Sequence, residues 1–290
     1  MKISVFGSTG FIGSNFCRMF GYGNEIYNAP RYSRRSQPDS ETLWLISTTH
    51  NYNVHKLPTL DVETNLVTLC EGLESFKNNN PNGVFNFVSS WFVYGDHGGN
   101  FCSEISSCYP KGFYSITKRC AEQLLISYCN TFNLKYRIFR LGNVIGPGDN
   151  PTPQKNALQY LIERMYMKLP IHVYNSGLFY RNYMHVDDTC SAMYHLMSLG
   201  DESVNKIYNV GHPVNSLFLE LLEMAKVDLK YPLEFEVMEP TEFHKKVQTT
   251  SFKMDTTQLN LTNWNPVYNM PEAIHSVCEH IKHKHTIIKS

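Results

Sequence analysis

Short apolar runs alternate with helix-spaced apolar positions through the first half of the chain. KISVFG (2–7) reads as a strand ending in glycine, and FIGSNFCRMFG (11–21) as a helix that stops near Gly21 and Gly23. NEIYN (24–28) and LWLIS (43–47) are two further strands. In DVETNLVTLCEGLESF (61–76), Val62, Leu66, Leu69, Leu73 and Phe76 fall on one face of a helix, with Asp61 favouring its N-terminus. VFNFV (84–88) and LKYRIFRL (134–141) are strands flanking a helix over 112–130. Strands that are apolar almost throughout, alternating with helices, predict an α/β fold. Its core is a Rossmann-type doubly wound parallel sheet covered on both faces.

The rhythm changes after RLGNVIGPGDNPTP (140–153), a Gly-, Pro- and Asn-rich loop that marks a domain edge. A helix follows at about 155–167, then short polar strands and a C-terminal part of mixed pattern. KIYNVG (206–211) reads as a buried strand that rejoins the sheet. The expected organisation is a dinucleotide-binding domain over 1–150, rejoined by about 181–211. A smaller substrate-binding α/β region covers 151–180 and 212–290.

Composition narrows the function. Lys plus Arg equals Asp plus Glu at 26 each, so no global field draws the protein to nucleic acid or a membrane. No apolar run approaches a membrane span, and no secretory leader is read at the N-terminus. Eight scattered cysteines without a CxxC pair read as reduced thiols of a cytoplasmic protein, and no metal site is expected. His275, His280, His283 and His285 read as a polar helix end and tail.

Candidate chemistry begins at GSTGFIG (7–13), a glycine-rich turn between strand and helix. A pyrophosphate must approach such a turn closely to reach the free amides of the helix N-terminus. Gly7 permits the turn, Gly10 the approach, and Gly13 close packing of helix on sheet; Phe11 and Ile12 complete this cofactor-binding set. The end of the second strand, NAPRYSRR (28–35), lacks the acidic residue that would hold an unphosphorylated ribose and carries Arg31 instead. That composition favours NADP(H) over NAD(H). Ser89 and Ser90 close the strand at VSSWFVYGD (88–96), on the sheet edge where such folds bind ligands. Tyr114 and Lys118 share one helical face at i and i+4. A nearby ammonium favours the phenolate and lowers a tyrosine pKa toward the working range.

Taken together, these segments resemble the extended short-chain dehydrogenase/reductase family of nucleotide-sugar epimerases, reductases and dehydratases. GSTGFIG, DVETNLVTL, VSSWFVYGD, PKGFYSITKRCAE, RLGNVIGPGD, YRNYMHVDD (180–188), YNVGHPVNS and WNP (264–266) match its ordered motifs. The resemblance implies Ser90, Tyr114 and Lys118 as catalytic residues. It implies Asn65, Leu141, Tyr114 and Lys118 beside the cofactor, and Ser90, Asn143 and Arg181 on the sugar diphosphate. The family's H-L-A-A strip is replaced by STTH (47–50), with Thr48 and Thr49 as cofactor contacts. The 14 residues between NEIYN and LWLIS are too few for the family's usual strand and helix there. Where dehydratases carry Asp-Glu after the catalytic hydroxyl, this chain has Trp91 and Phe92, which argues against 4,6-dehydration. Where many members have a second diphosphate-binding arginine, only His244, Lys245 and Lys246 stand.

The implied activity is hydride movement at C4 of a nucleoside diphosphate hexose, by a 4-keto sugar reductase in preference to a 4-epimerase. A homodimer through the helices over 61–76 and 112–130 is implied as well. A function of another class, a non-catalytic dinucleotide-sensing scaffold, is disfavoured because Ser90, Tyr114 and Lys118 are all retained.

Overall fold

The apolar runs of the first half, joined by KIYNV, form one six-stranded parallel sheet. Its strands are β1 (Lys2–Phe6), β2 (Glu25–Asn28), β3 (Glu41–Trp44), β4 (Val84–Ser90), β5 (Lys135–Leu141) and β6 (Lys206–Val210). They lie in the order β6-β5-β4-β3-β1-β2, every neighbouring pair parallel. The computed structural model describes residues 1–247 and 251–287. Its main helices are α1 (Phe11–Phe20), α2 (Thr68–Asn79), α3 (Phe113–Phe132), α4 (Ala157–Tyr166), α5 (Val186–Ser198), α6 (Phe218–Asp228) and α7 (Met270–Ile287).

Sheet faces without solvent contact explain the near-continuous apolar strands. On one face, Phe16 of α1 and Cys190 and Met193 of α5 pack with Ile3, Val5 and Phe139. On the other, Leu69 and Leu73 of α2 and Leu125 of α3 pack with Phe85 and Ile138. A third core joins α4, α6 and α7 through Leu158, Ile162, Leu221, Leu222, Ala273 and Val277. Two arginines of β5 are buried in the sheet and are matched in charge. Arg137 donates to Glu41 Oε2 at 2.8 Å and to Asn86 Oδ1 at 3.0 Å, and Arg140 pairs with Glu122 at 2.8 Å.

The shortened segment after β2 has a topological consequence. Residues 29–40 hold neither strand nor helix, so the chain passes from β2 directly to β3 on the far side of β1. Polar side chains seal the gap: Ser4 Oγ lies 3.0 Å from Ser40 Oγ, and Asn80 Nδ2 donates to the Ser40 carbonyl at 2.9 Å. Strand order reverses between β1 and β3, and a crevice opens at the carboxyl ends of the strands there.

Three boundaries differ from the sequence pattern. The strand predicted at 43–47 is paired over Glu41–Trp44, which leaves Ser47 beyond the sheet edge. The helix predicted at 61–76 runs from Leu60–Val62 through a π-helical turn, Glu63–Val67, into α2. Helices α5 and α6 stand where the sequence showed only a motif and a mixed pattern. Among the described residues no helix is long and apolar enough to cross a membrane.

Candidate active site

The crevice is a cavity of about 870 Å³ lined by residues of β4, β5, α1, α3 and α4 and of the segments that follow β1 and β3. Its cofactor end is built by the β1–α1 turn. Gly7 has φ +84°, and a Cβ there would lie 3.2 Å from Leu45 Cβ. A Cβ on Gly13 would lie 2.2 Å from the Gly7 carbonyl oxygen, so only glycine lets α1 sit this close to the strand. The α1 N-terminus has no side-chain cap and no acid in its first turn. Free amides and the positive end of the helix dipole therefore meet the cavity, lined here by Gly7, Gly10, Phe11, Ile12 and Gly13. A dinucleotide pyrophosphate fits this cradle, which any Cβ at Gly7 or Gly13 would disturb.

β4 delivers two serines. Ser89 Oγ points behind the wall and donates to Glu122 Oε1 at 2.5 Å, while Ser90 Oγ accepts the Phe92 amide at 3.3 Å. Tyr114, in the first turn of α3, is buried against Ser90. Burial pushes its hydroxyl up to about 12, with hydrogen bonds to Ser90 and Ser47 opposing and the Asp61 charge adding to the rise. One turn on, Lys118 Nζ donates to the Val88 carbonyl at 2.5 Å and lies 4.2 Å from the Phe87 ring centroid. The expected lowering of Tyr114 by Lys118 is therefore not found among the protein groups: burial raises the hydroxyl, and Lys118 is held by the strand.

Burial also pulls Lys118 down to about 7, opposed by Glu122. Below that pH both folded and unfolded chains hold the proton. Between about 7 and the ordinary value of 10.5 only the unfolded chain does, so this group makes stability rise with pH across that window. We expect the ligand-free protein to gain more stability between about pH 7 and about pH 10 than its Lys118→Met variant, read from urea midpoints. Equal gains in the two proteins would contradict the buried, depressed lysine.

Asn65 sits on the π-helical turn, a local distortion frequent at functional sites. Its Oδ1 accepts from Ser47 Oγ and the Thr48 amide at 3.0 Å each, and its Nδ2 donates to Thr48 Oγ1 and Thr117 Oγ1 at 2.9 Å. It stands behind the wall and holds Ser47 and Thr48 in place, whereas Thr48 and Thr49 line the cavity themselves. Leu141 and Asn143 line it at the end of β5. Asn143 Nδ2 donates to the Asn182 carbonyl at 3.0 Å, through the pairing of Asn143–Ile145 with Tyr183–His185.

Arg181 lines the cavity with its guanidinium 5.3 Å from the Trp91 ring and 4.7 Å from the Phe179 ring. Burial pulls it down to about 10, which leaves it cationic at neutral pH. Besides Asn65 behind the wall, Arg31 is the named candidate away from this cavity, exposed beyond β2 with its guanidinium 5.9 Å from the Tyr32 ring. Of the three residues at 244–246, His244 lines the cavity; Lys245 pairs outward with Glu242 at 3.2 Å.

Several wall residues had no local signal. Tyr52 and Tyr174 arrive from separate segments, and Lys155, Tyr160 and Arg164 arrive together at the start of α4 and along it. Tyr52 Oη lies 2.7 Å from His244 Nδ1, across 192 residues of chain. Among the described residues Asp149 is the one carboxylate on the wall, and it is tied to Lys155 at 2.5 Å and Asn156 at 2.9 Å. Asp228, His275 and Glu279 also cluster, on the outer surface, but Lys282 already lies 2.7 Å from Asp228 and 2.8 Å from Glu279.

Comparison with known proteins locates this arrangement. The model of the NAD dependent epimerase/dehydratase family matches residues 50–211. The low-salt glycan biosynthesis protein Agl12 of Haloferax volcanii is 23% identical, over 97% of this chain and 98% of its own. The GDP-6-deoxy-D-mannose reductase of Pseudomonas aeruginosa is 22% identical over 95% of each chain. The crystal structure of UDP-glucose 4-epimerase with UDP-glucose from Thermotoga maritima superposes with a TM-score of 0.84 at 22% identity. It covers 98% of this chain and 99% of that one, a likeness of fold.

Proposed function

The chain belongs to the NAD dependent epimerase/dehydratase family, and from that premise we propose that it is an NADP(H)-dependent 4-keto sugar reductase. The substrate is a nucleoside diphosphate hexose, with hydride moving at C4. One observation carries this reading: a single cavity unites the hydroxyls of Ser90 and Tyr114 and the amine of Lys118 with the cations Arg181 and Arg164. The first group suits proton transfer at a carbonyl, and the second suits a diphosphate.

Gly7–Gly13 would hold a nicotinamide cofactor, which would supply the hydride when bound. Tyr114 is protonated at neutral pH and gives its proton to the C4 oxygen, toward which Ser90 donates a hydrogen bond. Lys118, held beside the same helix face, stabilises the phenolate left behind until solvent reprotonates it. Arg181 and Asn143 hold the diphosphate. Trp91 and Phe92 support reduction over elimination, since neither can act as an acid or base. Phe92 stands edge-on to the Tyr114 ring at 6.0 Å. The NADP(H) preference is supported by exposed Arg31 and Arg35 and by the absence of any acid from Asn28 to Pro38.

We further assign residues 1–150 with 181–211 to the cofactor half, and 151–180 with 212–290 to the substrate half. The separate core of α4, α6 and α7 supports that division. Exposed Val67, Ile116 and Leu124 on the α2 and α3 segments support a homodimer through those helices.

The second reading, a UDP-glucose 4-epimerase-like enzyme, is favoured by the Thermotoga neighbour. A panel of sugar nucleotides and their 4-keto forms, incubated with NADPH or NADH, separates the two. Stoichiometric NADPH loss supports the reductase. Interconversion of 4-epimers without cofactor loss supports the epimerase.

A further inference from the structure

Proton transfer at Tyr114 leaves one buried carboxylate near it without a role, that of Asp61. Asp61 stands on the turn Leu60–Val62, fully out of solvent, and a chain of side chains connects it to the tyrosine. Thr48 Oγ1 donates to Asp61 Oδ1 at 2.5 Å, and Asn53 Nδ2 donates to the same oxygen at 2.9 Å. Asp61 Oδ2 has no hydrogen-bond partner among the described residues. With so few donors around it and no water contact, the charge of this carboxylate is little screened from its neighbours.

Chemistry fixes the direction of each bond in the chain. The Thr48 amide can only donate, so the Asn65 atom it meets at 3.0 Å is the carbonyl oxygen. That oxygen can only accept, so Ser47 spends its one proton there, at 3.0 Å. Asn65 Nδ2 donates to Thr48 Oγ1 at 2.9 Å, which agrees with a Thr48 proton given to Asp61. Ser47 therefore meets the neighbouring Tyr114 hydroxyl with lone pairs alone. A serine free to turn would donate to a phenolate and favour it; this one accepts, and favours the tyrosine that still carries its proton. Asp61 acts in the same sense, adding to the rise of the Tyr114 hydroxyl that burial begins. Lys118 acts in the opposite sense from its place on the Val88 carbonyl, with Glu122 acting on it in turn. His50 also faces Asp61: burial pulls it down, Asp61 opposes and Lys155 adds to the fall. Building on the reductase reading, we propose that Asp61 and Ser47 are positioning residues that hold Tyr114 as a proton donor, Ser47 as the acceptor and Asp61 as the fixed charge behind it. Once the tyrosine has given its proton to the C4 oxygen, the phenolate is poorly held on this side. It is reprotonated from solvent, and little of it remains to serve as the base for the reverse oxidation.

The test is the pH dependence of kcat for NADPH oxidation with a 4-keto sugar nucleotide, from neutral into the alkaline range, in the wild type, Asp61→Asn and Ser47→Ala. Protonated Tyr114 is the active form, so kcat falls as pH rises through its titration in the complex. Asp61→Asn removes the charge at nearly constant volume and should bring that fall about one pH unit lower. Ser47→Ala removes the acceptor and should move the fall in the same direction by a smaller step. A fall at the wild-type position in a folded Asp61→Asn, or a kcat lowered equally at every pH, overturns the inference and leaves the reductase reading intact. If Asp61→Asn does not fold, Ser47→Ala decides, and a fall it leaves unmoved overturns the inference. A wild type that oxidises no NADPH with any 4-keto sugar nucleotide removes the reductase reading and this inference together.

Discussion

Replacing Tyr114 by phenylalanine is expected to lower kcat by about 10²–10⁴-fold, the usual contribution of a positioned proton donor. The substitution removes one oxygen and leaves the buried ring, its edge-on contact with Phe92 and the helix start at Gly112 in place. Cofactor affinity should stay within a few-fold of wild type, because the β1–α1 cradle is formed by other residues. The loss should therefore fall on kcat rather than on KM for the cofactor, separable by steady-state kinetics with a cofactor titration by fluorescence. Full retained turnover would remove Tyr114 from the chemistry.

The second large effect is on stability. Glu122 is fully buried one turn beyond Lys118 and gathers four hydrogen bonds. Arg140 donates at 3.0 and 2.8 Å, Arg119 at 2.8 Å and Ser89 at 2.5 Å. Burial pushes the carboxyl up, yet these partners hold it below its ordinary value, so it stays ionised. Glu122→Ala leaves the Arg140 guanidinium buried in β5 with its counter-charge gone. Breaking one side of such a pair costs about 3–5 kcal/mol. A fall in melting temperature on the order of 10 °C should follow at neutral pH. A variant that melts with wild type would show that Arg140 finds another partner. Because Glu122 lowers its carboxyl pKa on folding, its contribution should fade as pH drops below the unfolded carboxylate range.

Much of the fold was legible because its strands are buried on both faces. VFNFV and KYRIFR need no partner to be recognised, and the two buried arginines of KYRIFR are masked by apolar neighbours. The loss of a strand and helix after β2 was legible as well, from 14 residues too few to hold them. Helix α5 was not. Its inner face is made of Val186, Cys190, Ala192, Met193 and Met197, small or soft residues interleaved with polar ones, and its first turn carries Asp187 and Asp188. α6 has a plainer face, in Phe218, Leu221, Leu222 and Ala225. It follows a two-residue strand and sits on a core that exists only when α4 and α7 arrive.

The site divides the same way. Ser90, Tyr114 and Lys118 lie in linear motifs where strand end and helix start fix the geometry. Ser47 beside Tyr114, and His244 on Tyr52, depend on contacts between distant segments that no local spacing encodes. Asn65 was placed at the cofactor by resemblance, whereas its four hydrogen bonds go to Ser47, Thr48 and Thr117, where it supports the wall.

The most direct measurement of the central claim follows an isotope. The protein is incubated with a nucleoside diphosphate 4-keto hexose and NADPH deuterated at the transferring position of the nicotinamide ring, and the product is read by NMR. Expected are one NADPH oxidised per product formed, deuterium at C4 of the sugar, and loss of both signals in Tyr114→Phe. Product formed without NADPH oxidation, or with no deuterium at C4, would contradict it.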